Sequence, residues 1–211
     1  MSIYTLSKSD IVQRLTVPVP QTIFGDNALN PDWPKVNPAT FRKASVMITL
    51  VERASGLNVL LTQRRHDLKD HPGQISFPGG KREIDDVDDW HTAMRELEEE
   101  VGIDRQYLEK VCELEPYLTR TGFDISPFVA FASPSLKPVA QASEVEEIFE
   151  VPLSFLIDPE NRRIDSIFLD GKDRYYYVLG YDGTDGVHRN IWGATAGMLV
   201  ALAKRLNPEN G

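Results

Sequence analysis

Residues 73–103, GQISFPGGKREIDDVDDWHTAMRELEEEVGI, join a glycine-rich segment to an amphipathic helix, and the interpretation of the whole chain starts from them. The apolar residues of the second half recur at helical spacing: Trp90, Ala93, Met94, Leu97 and Val101. Asp86 or Asp88 is placed to cap the helix, and Gly102 stands where helices commonly end. The stretch therefore predicts a strand, a glycine turn, an acidic loop and a helix ending near Gly102.

Three carboxylates, Glu96, Glu99 and Glu100, fall at i, i+3 and i+4 and share a second face of this helix. A solvated acidic face is the ordinary interpretation, since like charges at i, i+4 cost only about 0.2–0.5 kcal/mol per pair. Residues 77–80, FPGG, favour another one, because two glycines let the backbone approach a neighbouring group closely. Mg²⁺ binds oxygen ligands, often one or two carboxylates together with substrate phosphates. The combination predicts a metal–phosphate site.

The run RELEEEVGI at residues 95–103 matches the second half of the Nudix box, R-E-U-x-E-E-x-G-U with U aliphatic, at every fixed position. The first half departs from the box, which places its leading Gly fourteen residues before the Arg and a Glu eight before it. Here Gly80 lies fifteen residues before Arg95, and Val87 occupies the Glu position. The nearest acids are Asp85, Asp86 and Asp88. This one-residue expansion resembles the coenzyme A pyrophosphatase branch of the Nudix hydrolases, which typically has an Asp-rich loop there.

An upstream signature of that branch, resembling L-L-T-x-R-S-x3-R-x3-G-x-V-x-F-P-G-G, is also present. This chain has LLTQR at residues 60–64, then Gly73, Ile75 and the FPGG of residues 77–80 in the same register. Arg65 replaces the Ser and Lys69 replaces the second Arg, so positive charge is kept or added. The resemblance extends over residues 44–206.

The resemblance implies an α/β fold, the Nudix-type α-β-α sandwich with a mixed sheet. It also implies hydrolysis of the diphosphate of coenzyme A or its derivatives to 3′,5′-ADP and 4′-phosphopantetheine or an acyl derivative. Mg²⁺ or Mn²⁺ is the implied cofactor, since a divalent cation neutralises phosphate oxygens and lowers the pKa of an attacking water. The partner is then a small nucleotide-type molecule.

The roles implied by the resemblance fall on three sets of residues. The catalytic set is Glu99, Glu96 and Arg95: one of the glutamates, with Glu99 as the candidate, acts as base, and Arg95 orients a carboxylate. The metal ligands are Glu96, Glu99, Glu100 and the backbone of Gly80. The substrate-binding set is Arg64, Arg65, Lys69, Gly79, Gly80 and Lys81. An acid from a late loop, Glu144 or Glu147, is a further candidate ligand.

Two alternatives stay open at this stage. A Nudix pyrophosphatase acting on nucleoside triphosphates or dinucleotides would make the signature of residues 60–73 coincidental. A non-catalytic nucleotide-sensing Nudix module is the second, although the intact Glu96, Glu99 and Glu100 argue against it.

Net charge, cysteine count and the length of the apolar stretches argue against several other classes of protein. A net charge of −9 over 211 residues argues against broad, sequence-independent nucleic-acid binding, which depends on clustered Lys and Arg. Cys112 is the single cysteine, which excludes an intrachain disulfide and favours a reducing, cytoplasmic location. No stretch approaches the roughly 18 uninterrupted apolar residues of a membrane span, and no secretory signal is visible. A homodimer is compatible with the sequence.

The chain is predicted to have two parts. Residues 1–40 contain a short helix near Ser9–Asp10 and a proline-rich arm, and residues 41–211 form a Nudix hydrolase domain. Alternating apolar residues predict a strand buried on both faces at 46–51, paired as a hairpin with a strand at 59–63. Further predicted elements are strands at 110–118 and 128–132, an acidic loop or strand at 144–153, a hairpin at 162–178 and a helix at 190–206.

Overall fold

The computed structural model describes residues 6–18, 24–33 and 40–207. The helices in these ranges are α1 (Lys8–Leu15), α2 (Asp89–Val101), α3 (Leu153–Leu156) and α4 (Gly193–Leu206). The strands are β1 (Phe24–Gly25), β2 (Arg42–Arg53), β3 (Gly56–Arg64), β4 (Ile75–Ser76), β5 (Gly79–Lys81), β6 (Leu108–Glu113), β7 (Tyr117–Leu118), β8 (Phe123–Ala132), β9 (Val145–Pro152), β10 (Arg162–Leu169), β11 (Lys172–Asp182) and β12 (His188–Trp192).

Strand β2 lies at the centre of a mixed sheet. It pairs in parallel with β8 along residues 42–51 and antiparallel with β3 at their hairpin. Every side chain from Ala44 to Val51 is buried, because alternate side chains enter two different cores. The predicted two-faced strand and its hairpin partner are confirmed.

Helices cover both faces of this sheet. On one face α2 packs over a core that includes Met47, Leu60, Leu97 and Phe128. On the other face α1, α3 and α4 pack over a larger core. The predicted α-β-α sandwich with a mixed sheet is confirmed. Within the residues described, no helix has the length and apolar character needed to cross a bilayer.

The segment carrying the glycine pair fills the space where β2 and β3 separate. β4 pairs with β3 through Thr62 and Gln63, while β5 pairs with β2 through Ala44, Ser45 and Val46. Gly79 and Gly80 therefore lie in an extended strand, and the predicted glycine turn is wrong. Glycine is required at both positions because neighbouring atoms lie too close for a side chain, and not because the backbone has a positive φ.

Two further boundaries differ from the sequence-based expectation. The predicted strand at 110–118 is two strands, β6 and β7, separated by residues 114–116 that include Pro116, and both pair with β8. The predicted helix at 190–206 begins only at Gly193, since residues 188–192 form β12, whose Ile191 lies opposite Leu179 in the sheet and is fully buried. Gly193 has a φ of 65°, a turn that separates strand from helix.

Strands β10, β11 and β12 form a second, three-stranded sheet. The predicted hairpin at 162–178 is its first pair, closed by Asp170 and Gly171 at positive φ. The ion pair between Arg189 and Glu147 of β9 joins this sheet to the main one.

The proline-rich arm lies partly outside the described residues, which omit 19–23 and 34–39. In the part that is described, Asp26 accepts hydrogen bonds from the Tyr117 hydroxyl at 2.8 Å and from the Arg120 amide at 2.7 Å. The predicted helix in the first 40 residues is α1, with Ser7 as its N-cap. The domain boundary near residue 40 stays a prediction.

Candidate active site

Helix α2 supplies the carboxylates of the site. Asp88, and not Asp86, caps its start, because the Asp88 side chain accepts a hydrogen bond from the His91 amide at 2.8 Å. Gly102 ends the helix at a φ of 66°, as the sequence predicts. Ala93, Leu97 and Val101 are fully buried against the sheet, which fixes the rotation of the helix and directs its glutamates towards β5.

The three glutamates share a face but not an environment. Glu100 has a relative exposure of 6%, and the Glu96 side chain one of 16%, whereas the Glu99 side chain is 59% exposed. Glu100 and Glu96 thus lie at the covered side of the helix, next to β5, and Glu99 lies at its solvent side.

The glycine pair lets β5 approach these carboxylates. A Cβ atom at Gly80 would lie 2.4 Å from Oε1 of Glu96, and one at Gly79 would lie 2.4 Å from the Ser45 carbonyl oxygen. Both distances are shorter than any van der Waals contact, so a side chain at Gly79 would push β5 away from β2, and one at Gly80 would displace the Glu96 carboxylate. The predicted close approach is therefore present, and the group approached at Gly80 is Glu96.

Glu100 has an unusual electrostatic environment. Its Oε2 is buried without a hydrogen-bond partner, while the Gly79 amide donates to the carboxylate. Burial, and then the neighbouring Glu96 charge, raise the pKa of Glu100 to about 8, against a smaller lowering by Arg64. Burial likewise raises the pKa of Glu96. Because both carboxyl groups are buried close to each other, their ionised forms are unfavourable unless a cation binds to them.

A pH dependence of stability follows for the metal-free protein. Because the Glu100 pKa is raised in the folded state, its favourable contribution is complete below the ordinary value of 4.5 and is lost as pH rises towards about 8. In EDTA, the melting temperature of the wild type is expected to fall relative to that of Glu100→Gln as pH increases over this interval. Thermal denaturation of both proteins at several pH values measures the difference, and a constant difference would contradict it.

Arg95 and Asp86 form a partly buried ion pair beside the carboxylates. The Arg95 guanidinium donates to both Asp86 oxygens, at 3.1 and 3.0 Å, and also to Glu96 at 2.9 Å and Glu99 at 3.1 Å. This arrangement holds the pKa of the Asp86 carboxyl far below its usual range, chiefly through the Arg95 hydrogen bonds. Sequence analysis placed Arg95 here but did not single out Asp86 among the three loop acids.

The candidate substrate-binding cations do not all lie at this site. The Arg64 side chain is near Glu100, with its Nε buried and unpaired and its Nη1 3.7 Å from Oε2 of Glu144. Arg65 instead pairs with Asp67 and donates to the Ala142 carbonyl at 2.8 Å. Lys69 and Lys81 are exposed.

The two late acids are also separated by the structure. Glu144 is joined to the end of α2 through Gln141, whose amide donates to the Glu100 carbonyl and whose carbonyl accepts from the Glu144 amide, both at 2.9 Å. The charge of Glu144 contributes to raising the pKa of both Glu96 and Glu100. Glu147 is held by Arg189 on the other side of the sheet. The structure therefore brings together Glu96, Glu100, Gly80, Arg64 and Glu144, with Glu99 and Arg95 at the solvent side.

The carboxylate oxygens of Glu96, Glu99 and Glu100 are chemically suitable ligands for a divalent cation. Among the described residues, no three His, Cys, Asp or Glu side chains stand close enough to hold a metal ion without rearrangement, since Arg95 pairs with two of the glutamates. The unpaired Glu100 oxygen, the buried Glu96 and the exposed Glu99 are nevertheless hard oxygen donors on one helix face. Glu99 would join the other two by rotating away from Arg95, and its 59% side-chain exposure leaves it space to do so.

The α-β-α sandwich thus places a carboxylate-bearing helix against a glycine strand, an arrangement whose oxygen donors suit a divalent cation bound together with phosphate. The model of the NUDIX domain matches residues 41–169, more than half of the 211 residues. The chain belongs to the Nudix hydrolase family, whose members are pyrophosphohydrolases that generally need divalent metal ions.

Individual relatives agree with this family. Nudix hydrolase 15, mitochondrial, from Arabidopsis thaliana is 38% identical over 165 residues, which are 77% of this chain and 58% of that protein. The peroxisomal coenzyme A diphosphatase of Mus musculus is 36% identical over 162 residues, 76% of this chain and 69% of that one. An uncharacterized Nudix hydrolase of Citrobacter koseri is 35% identical over 82% of this chain and 88% of its own length. The matched region is thus little more than half of the Arabidopsis relative.

Proposed function

We propose that this protein hydrolyses the diphosphate of coenzyme A or its derivatives to 3′,5′-ADP and 4′-phosphopantetheine or its acyl form, with Mg²⁺ or Mn²⁺. The observation that supports this best is the buried, unpaired Glu100 oxygen beside Glu96 and the glycine strand, with Arg64 at the same site. The similarity to a coenzyme A diphosphatase and the signature of residues 60–80 favour coenzyme A over other diphosphates.

The ligands for the cation in this proposal are Glu96, Glu99 and Glu100, with the Gly80 backbone lying against the metal or the phosphates. Glu144 is the late acid that the geometry favours over Glu147. When bound, the cation neutralises phosphate oxygens and lowers the pKa of an attacking water.

The side chains of the protein supply the general base and orient the carboxylates. Glu99, the most exposed of the three, is the one that bulk water reaches, which suits the role of general base. Arg95 orients Glu96 and Glu99 through its shared Nη1. The absence of side chains at Gly79 and Gly80 lets β5 lie directly against β2 and against the Glu96 carboxylate.

Arg64 is the proposed contact to the 3′-phosphate. Its side chain is at the site and 30% exposed, and its ion pair with Glu144 spans 3.7 Å, whereas Arg65 donates two hydrogen bonds to Asp67. A charge-assisted hydrogen bond contributes about 1.5–3 kcal/mol, enough for one Arg to separate coenzyme A from dephospho-coenzyme A by about tenfold or more.

Arg64→Gln is therefore expected to lower kcat/KM for coenzyme A about tenfold more than kcat/KM for dephospho-coenzyme A. The ratio isolates the 3′-phosphate contact from any effect of Arg64 on the carboxylates, because both substrates use the same metal site. Steady-state kinetics with the two substrates measures it, and Arg65→Gln is the matched control expected to leave the ratio near that of the wild type. An unchanged ratio in Arg64→Gln would remove Arg64 from 3′-phosphate recognition.

Competing functions are separated by a substrate panel. Coenzyme A, dephospho-coenzyme A, ADP-ribose, NADH and the nucleoside triphosphates are incubated separately with protein and Mg²⁺. Preferential consumption of a nucleoside triphosphate or dinucleotide would support the alternative Nudix specificity, and no turnover of any compound would support the nucleotide-sensing module. The homodimer and the cytoplasmic location stay predictions, and some relatives bear mitochondrial or peroxisomal names.

A further inference from the structure

The acidic loop of residues 83–88 contains three aspartates near the position at which the Nudix box has its Glu. In the structure that position, Val87, is 75% exposed, and Asp85 is exposed as well. Asp88 is used as the cap of α2. Asp86 alone among these loop residues turns inward, and its side chain is only 6% exposed.

Asp86 joins three parts of the site through its two oxygens. It accepts hydrogen bonds from the Glu83 amide at 2.9 Å, from the Thr92 hydroxyl at 2.9 Å and from two nitrogens of Arg95. The loop, the first turn of α2 and the guanidinium are thereby fixed relative to one another. Arg95 also donates to the Lys81 carbonyl at 3.1 Å, which adds β5 to the same network.

The charge of Arg95 is divided between Asp86 and the helix glutamates. One edge of the guanidinium, Nε and Nη2, is directed to Asp86, and Nη1 alone is shared by Glu96 and Glu99. A cation arriving at the glutamates would meet a guanidinium whose charge Asp86 already offsets. Without that carboxylate, the full positive charge of Arg95 would face Glu96 and Glu99 and compete with the cation for them.

We propose that Asp86 is a positioning residue of the metal site: it holds and neutralises Arg95, so that the Glu96 and Glu99 carboxylates remain available to a divalent cation. In this chain Asp86 takes the place of the acid missing at Val87. The inference rests on the proposed metal site, but not on the identity of the substrate. Partners of metal-binding side chains typically change metal affinity by about 10–100-fold when they are removed.

The test is Mn²⁺ affinity of the substrate-free protein, measured by electron paramagnetic resonance of free Mn²⁺. The variants are Asp86→Asn, Asp86→Glu and the control Asp85→Asn, each at a temperature well below its own melting point. Asp86→Asn is expected to bind Mn²⁺ at least about tenfold more weakly than the wild type. Asp86→Glu, which restores the charge, is expected to recover part of that loss, and Asp85→Asn is expected to bind as the wild type does.

If folded Asp86→Asn binds Mn²⁺ as tightly as the wild type does, the proposal is overturned. A lower melting temperature with unchanged Mn²⁺ affinity would mean that Asp86 has only a structural role. An equal loss in Asp85→Asn would overturn it too, since general loop charge would then be responsible. Adding Val87→Glu to Asp86→Asn is expected to restore nothing, because residue 87 faces solvent; full restoration would also contradict the assignment.

If Asp86→Asn does not fold, Asp86→Ser serves instead, because it removes the same charge with a smaller polar side chain. Its Mn²⁺ dissociation constant is expected to rise at least about tenfold, and an unchanged constant would overturn the proposal. The substrate proposal fails separately, if coenzyme A is not cleaved while Mn²⁺ affinity still responds to Asp86.

Discussion

Glu100→Gln is expected to lower kcat for coenzyme A by roughly three orders of magnitude, equivalent to about 4 kcal/mol in the activation barrier. The substitution preserves the shape of a buried side chain and removes the charge that would bind the cation. Glu99→Gln is expected to cause a loss of similar size, because it removes both a ligand and the named base. Steady-state kinetics at saturating Mg²⁺ measures both losses.

Stability distinguishes this outcome from a structural role. Because the pKa of Glu100 is about 8 in the metal-free protein, its carboxyl is mostly neutral near pH 7, as Gln is. Metal-free Glu100→Gln should therefore melt no earlier than the wild type. Glu98→Gln, an exposed position on the same helix, is the matched control and should retain activity. A Glu100→Gln protein that melts early but keeps its specific activity would refute the assignment.

Removal of divalent metal is expected to abolish hydrolysis, and millimolar Mg²⁺ or Mn²⁺ to restore it. Mg²⁺ is held by few protein ligands and by substrate oxygens, so its affinity for the protein alone is modest. Activity is measured after exhaustive EDTA treatment and again after metal is added back. Circular dichroism of the EDTA-treated protein is the control for folding, and activity that survives chelation would end the metal hypothesis.

Helix α2 and strand β2 could be predicted from the sequence because several local signals agree in each. In α2 the apolar stripe, a capping Asp and Gly102 all define the same helix. In β2 a nearly continuous apolar run over residues 46–51, interrupted by Thr49, indicates burial on both faces. The Nudix pattern then supplied the sandwich, which periodicity alone does not select.

The environments of the site residues could not be predicted in the same way. Helical spacing places Glu96, Glu99 and Glu100 on one face, but the position of β5 decides which of them is buried. The side chains of Arg64 and Arg65 point in different directions, and only that of Arg64 enters the site. The β3–β9 pairing is irregular between Gln63 and Arg64, so regular strand alternation does not predict this choice. Asp86 owes its role to a loop conformation that no periodicity encodes.

The late acids show where sequence periodicity cannot decide between two candidates. Glu144 lies in the turn before β9, whereas Glu147 lies in β9 opposite Gln63, next to a register shift. The structure places Glu144 with the α2 carboxylates and Glu147 with Arg189. The alternation of side chains along a regular strand therefore does not predict which of the two acids faces the site.

Mass spectrometry of the reaction products tests most directly whether coenzyme A is the substrate. After incubation of the full chain with coenzyme A and Mg²⁺, we expect 3′,5′-ADP and 4′-phosphopantetheine in equal amounts, and neither product with Glu100→Gln. Intact coenzyme A in a sample that consumes a nucleoside triphosphate under the same conditions would contradict coenzyme A as the substrate.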